Sequence, residues 1–123
     1  MIKTKHLFAS LFVLLMAALL YGIFRAEPPQ ELFSNSDKVG HVLIFFAATL
    51  SGRLSGIRLP DWAYWPLWAV LALMMEYLQD ALWPTRNFSA GDAYANLAGV
   101  VAALVVWLVI RRVLRGLATQ NRG

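Results

Sequence analysis

Apolar residues along this chain fall into four long runs, at 7–24, 39–54, 62–82 and 93–110. Crossing a hydrocarbon core takes about 20 consecutive helical residues, with a range of roughly 17 to 25. The first and fourth runs carry no charge and meet that length. The second is short and the third is interrupted by Glu76, so both are assigned from the company they keep. Pro28-Pro29, then Gly56 with Pro60, then Pro84 with Gly91 separate the four, as turn-forming residues do between regular elements. Backbone polar groups in lipid have to be satisfied within the segment, which makes spans of this length helices. The pattern therefore predicts an all-α polytopic membrane protein, four transmembrane helices in a compact bundle, with one domain over residues 1–123.

Composition agrees. At 59% hydrophobic and 15% charged residues, with mean hydropathy +0.57, the chain has too little polar surface to cover a small water-soluble globule. Lys3 and Lys5 ahead of the first run could form the basic region of a signal peptide. That run is longer than an ordinary signal core, however, and lacks a small-x-small cleavage site, so it is read as a retained helix. With the N-terminus cytoplasmic, the inside segments hold Lys3, Lys5, Arg53, Arg58, Arg111, Arg112, Arg115 and Arg122, against Arg25, Lys38 and Arg86 outside. This asymmetry places both termini inside. It also accounts for the net charge of +4 without a nucleic-acid partner, and the basic residues at 111–115 are expected to meet anionic headgroups. The absence of cysteine excludes disulfides, thiol catalysis and Cys-ligated metal.

Against this apolar background the polar residues gather toward one leaflet. In the inferred orientation Asp37, Lys38 and His41 open the second helix outside, Glu76, Gln79 and Asp80 end the third there, and Asp92 and Asn96 begin the fourth. At about 100° per residue, Asp37, His41, Ala48 and Gly52 share one stripe. Asp92, Asn96, Gly99 and Ala103 share another, and Ala69, Ala72, Glu76 and Asp80 a third, with Gln79 at its edge. Small residues at this spacing let helix backbones approach closely, so the polar faces are also the expected packing faces. Plainer roles exist for several of these groups. Asp37 and Asp92 could serve as helix N-caps, Lys38 could snorkel to the interface, Asn96 could join helices, and Gln79, Asp80 and Arg86 could be solvated. Glu76 and His41 are harder to explain that way, because an ionisable group below the interface costs several kcal/mol unless paired. Glu76 needs a proton or a cation, with Arg86, Lys38 and His41 the candidates, Arg86 foremost because its planar fork matches a carboxylate.

These residues carry a resemblance. D-K-V-G-H-V-L-I-F-F at 37–46, followed by E-x-x-Q-x-x-x-x-P-x-R-x-x-x-x-x-D-x-x-x-N-x-x-G at 76–99, resembles the VanZ-like family. Its members are small bacterial integral membrane proteins, named for one encoded with glycopeptide-resistance genes that raises tolerance to teicoplanin. The resemblance covers 37–103 and departs at Ala103, where a second glycine is common. It implies a multi-pass protein of the bacterial cytoplasmic membrane with a shared site on Lys38, His41, Glu76, Gln79, Pro84, Arg86, Asp92, Asn96 and Gly99.

Three classes of function follow. The first is a polar ligand site facing the outer leaflet, built from Lys38, His41, Glu76, Gln79, Arg86, Asp92 and Asn96. Its partners would be membrane lipids and a cell-envelope precursor or glycopeptide-related ligand, and no cofactor or metal is expected. The second is a small structural or accessory subunit whose charges form an interhelical network. The third is a membrane-embedded hydrolase or transferase acting on a lipid-linked phosphate. There Glu76 and His41 would be the catalytic acid/base pair, with Arg86 and Lys38 holding the phosphate. A Ser89–His41–Asp92 triad is the weakest form of catalysis, since no nucleophile-elbow sequence surrounds Ser89. A metal centre likewise lacks a dense ligand motif.

Overall fold

The computed structural model describes residues 2–25, 32–34, 36–83 and 89–123. They form four α-helices: α1 (Ile2–Phe24), α2 (Ser36–Leu54), α3 (Asp61–Leu82) and α4 (Ala90–Gln120). Two of them, α1 and α4, are long and apolar enough to cross a membrane. The helix ends follow local chemistry. Beyond α2 the chain turns at Gly56, whose φ of +85° lies in the left-handed region that favours glycine. Pro60 then precedes α3, where its missing N–H is harmless, and its carbonyl accepts from the amides of Ala63 and Tyr64. At the start of α4 the Ser89 hydroxyl accepts from the Asp92 amide at 3.1 Å, an N-cap that satisfies one otherwise orphaned donor.

Several boundaries differ from expectation, and α1 already begins at Ile2, ahead of the apolar run that starts at residue 7. The N-cap of α4 is Ser89 rather than Asp92, which sits in the first turn with its carboxylate free to turn elsewhere. The fourth helix also runs to Gln120 instead of stopping near 110. Nothing between Arg111 and Gln120 breaks it, and 31 helical residues measure about 46 Å, well beyond the about 30 Å of a hydrocarbon core. The apolar run marks only the part suited to lipid.

Around the bundle α2 packs on α1 and α4, and α3 packs on α4 and more thinly on α1. The diagonal between α2 and α3 is filled by aromatic side chains. Trp68 meets the rings of Phe12 and Phe45 edge-on, each at 6.2 Å, a favoured arrangement for rings that carry a negative face and a positive edge. The Tyr64 hydroxyl donates to the Thr49 carbonyl at 2.5 Å. Closest approach falls on the α2–α4 seam, where Ala48 and Ala103 are fully buried. A Cβ on Gly99 would fall on the Val42 carbonyl oxygen and lie 2.9 Å from the Phe46 amide nitrogen.

One end of the bundle, where α2 and α4 begin and α1 and α3 finish, is called the upper end below. The lower end is tied by Asp61. Its carboxylate pairs with Arg111 at 2.9 Å and Arg53 at 3.2 Å, and the indoles of Trp65 and Trp107 donate to it at 3.3 and 3.4 Å. Arg53 also donates to the Ile57 and Leu59 carbonyls, and its guanidinium lies over the Tyr64 ring. In the sequence both residues count among the inside basic groups, and Arg111 is expected to meet anionic headgroups. The fold instead holds both against Asp61, joining α2, α3 and α4.

Candidate functional site

At the upper end the glycine approach described above sets the geometry. With α4 drawn onto α2 at Gly99, Asn96 one turn earlier faces His41. The fully buried Asn96 amide donates through Nδ2 to the Ala72 carbonyl of α3 at 3.1 Å. That bond turns Oδ1 toward His41 Nδ1, 2.5 Å away. An amide oxygen only accepts, so in this contact Nδ1 is the donor and the Nε2 edge is left to face other groups. His41 Nε2 points toward Asp92 Oδ2 at 3.9 Å, and Nδ1 lies 4.0 Å from Glu76 Oε1. Three helices thereby contribute to one cluster: His41 from α2, Glu76 from α3, and Asp92 and Asn96 from α4.

Lys38 closes the top of the cluster. Its ammonium lies 3.4 Å from Asp92 and 3.6 Å from Asp37. Gly91 permits the crossing, since a Cβ there would stand 2.8 Å from Lys38 Cε. Lys38 is thus engaged by Asp92 and Asp37, while the expected neighbour of Glu76 that the fold delivers is His41. Glu76 itself is 4% exposed. Arg86 and Pro84, and with them the expected Glu76–Arg86 pair, lie outside the described residues.

Gln79 belongs to the buried side of α3, one turn above Glu76, and is 5% exposed. Its Nε2 donates to the Gly22 carbonyl at 2.8 Å, and the Trp83 indole donates to the Ile23 carbonyl at 3.0 Å. Both carbonyls belong to the last turn of α1, which has no helical donors above it. Asp80, expected on the packing face, is exposed instead. The large side chains of Trp65 and Trp68 set the rotation of α3, and the line from them through Ala72 and Glu76 reaches Gln79. A cavity of about 360 Å³ opens beside this point between α1, α2 and α3, with His41 and Gln79 in its wall. Arg25 and Asp37 also line it. Neither was singled out as a ligand contact from sequence, and only their place at helix ends facing the same leaflet hinted at it.

The chemistry available is limited by these contacts. The Ser89 hydroxyl accepts from the Asp92 amide as the α4 cap. One ligand atom from each of His41, Glu76 and Asp92 lies within 4.8 Å of the others. The mixed nitrogen and oxygen donors suit a divalent cation. Comparison with protein-family models, curated proteins and solved structures yields no match. What fold and site define is a class: an all-α protein with four helices among the described residues, two of them apolar enough to cross a membrane, and a buried to half-buried cluster of ionisable and amide groups at one end.

Proposed function

We propose that the chain is a VanZ-like multi-pass protein of the bacterial cytoplasmic membrane, with both termini cytoplasmic, whose upper end is a polar site open to the outer leaflet that binds a cell-envelope component, either a lipid headgroup or a glycopeptide-related molecule. The observation that carries this reading is the convergence of His41, Glu76, Asp92 and Asn96 from three helices beneath an apolar exterior. The third helix states the contrast most sharply. Its outward positions are Leu67, Val70, Leu71, Leu73, Met74, Tyr77 and Leu78, whereas Glu76 and Gln79 turn inward. This distribution is the reverse of a water-soluble helix and suits a hydrocarbon solvent for α3 as well as for α1 and α4. Ionisable groups held within such a bundle are expensive and mark sites of function by default.

Binding asks least of the geometry. His41 Nδ1 lies 4.0 Å from Glu76 and would have to leave Asn96 to exchange a proton with it, and chemistry on a lipid-linked phosphate is the enzymatic form of the same site. The hydrogen-bonded line from Ala72 through Asn96 to His41 also supports an interhelical network in an accessory subunit. Substitution separates these readings. His41→Ala and Glu76→Gln are expected to abolish an envelope phenotype, measured as glycopeptide tolerance in a permeable host, while leaving the amount of folded protein near wild type. Loss of folded protein in proportion to loss of phenotype would instead make the cluster structural.

A further inference from the structure

The cavity between α1, α2 and α3 has a polarity gradient that all three helices share. Its deeper wall is Ala18 and Leu19 of α1, Ile44 and Phe45 of α2, and Met75 of α3. Further up, over one to two turns, the same helices present Arg25, then Asp37 and His41, then Gln79. A pocket apolar below and polar above, on the open flank of a membrane bundle, matches an amphipathic molecule lying at the depth of a lipid. At about 360 Å³ it falls at the small end of ligand pockets and takes in part of such a molecule.

Two observations specify the headgroup. Gln79 is 5% exposed and its Oε1 has no hydrogen-bond partner, while its Nε2 is committed to the Gly22 carbonyl. A buried acceptor left unmatched is costly, and a turn of the Gln79 amide toward the cavity would let a ligand donor, an N–H or O–H, relieve it. The rim meanwhile carries opposite charges, Arg25 on α1 and Asp37 on α2, which complement a zwitterion better than an anion. Two wall positions are also glycine, Gly22 and Gly40, and a Cβ on either would meet nothing within 4 Å. At Gly99 and Gly52 neighbouring atoms exclude a side chain, whereas at Gly22 and Gly40 nothing does. Glycine within a helix is unfavourable relative to alanine, and here its effect is to keep the cavity wide.

We propose that this cavity seats one zwitterionic aminophospholipid of the outer leaflet, its ammonium donating to Gln79 Oε1 and Asp37, its phosphate beside Arg25, and one acyl chain against Leu19, Ile44 and Phe45. The inference rests on the outward-facing envelope-ligand reading above and names its ligand class. The test is native mass spectrometry of the full chain after reconstitution in equal parts phosphatidylethanolamine, phosphatidylcholine and phosphatidylglycerol. Phosphatidylcholine has the same charges without an N–H donor, and phosphatidylglycerol has donors with a net negative charge. Retention of phosphatidylethanolamine at least tenfold above both is expected. Gly40→Leu and, independently, Gly22→Leu are expected to reduce that retention at least tenfold with an unchanged melting temperature, since each side chain grows into open space. Equal retention of phosphatidylethanolamine and phosphatidylcholine, preference for phosphatidylglycerol, or undiminished retention in both folded leucine variants would overturn the proposal. None of these outcomes depends on the glycopeptide phenotype of His41→Ala and Glu76→Gln, so failure of the lipid and failure of the broader site are separately visible.

Discussion

Asn96 does two jobs at once: it binds the Ala72 carbonyl and accepts from His41 Nδ1. The Ala72 carbonyl lies on the buried face of α3 and His41 is half-buried, so removing the amide leaves the carbonyl without a match. Asn96→Leu, similar in size, is expected to lower stability by about 1–3 kcal/mol, the usual cost of orphaning buried polar groups. A cycle of His41→Ala and Asn96→Ala should show coupling above about 0.5 kcal/mol in detergent unfolding, as contacting groups do. Additivity would mean that the 2.5 Å contact has no energetic weight. Lys38→Ala, whose ammonium is at the rim, should perturb stability least among the site variants, and added salt should weaken its pairs.

Helix against helix, the α2–α4 seam decides whether the cluster can form. The neighbours of Gly99 are backbone atoms of Val42 and Phe46 as well as Phe45 Cβ, and backbone cannot rotate aside as a side-chain tip can. Gly99→Ala should therefore push α4 away from α2 and cost about 1–3 kcal/mol, as overpacking does. Gly116→Ala, where nothing lies within 4 Å, should stabilise by about 0.5–1 kcal/mol through helix propensity alone. Chemical denaturation of the two variants beside the wild type checks the sign of each. If Gly99→Ala is neutral, the close approach of α2 and α4 is not what holds His41 against Asn96.

For the molecule as a whole, the proposed orientation would turn a cluster at one end into a site on one side of a membrane. The asymmetry of basic residues and the apolar exteriors of α1, α3 and α4 support the proposed arrangement, with the upper end outside. The native chain has no cysteine, so single replacements can be labelled without background. Cysteine at Ser34 is expected to react with an impermeant maleimide in intact spheroplasts. Cysteine at Ser55 or Thr119 should react only after permeabilisation. The opposite pattern would turn the His41–Glu76 cluster toward the cytoplasm and remove the envelope ligand from consideration.

Helix number and approximate limits were legible in the sequence because apolar runs and Gly/Pro breaks are local properties. So were the small-residue stripes through Ala48 and Gly52 and through Gly99 and Ala103, since the helical period alone puts them on one face. The convergence of His41, Glu76, Asp92 and Asn96 followed from the same period combined with alternating helix direction. Tertiary packing decided the rest. The bulk of Trp65 and Trp68 rotates α3 so that Gln79 enters and Asp80 leaves, a difference of one residue that periodicity does not resolve. The Gly99 approach selects Asn96 as the partner of His41, while Gly91 lets Lys38 reach Asp92. Asp61 gathers Arg53 and Arg111 from distant parts of the chain. These pairings depend on distances between helices, and such distances arise from the summed shapes of many side chains, which no short stretch of sequence contains.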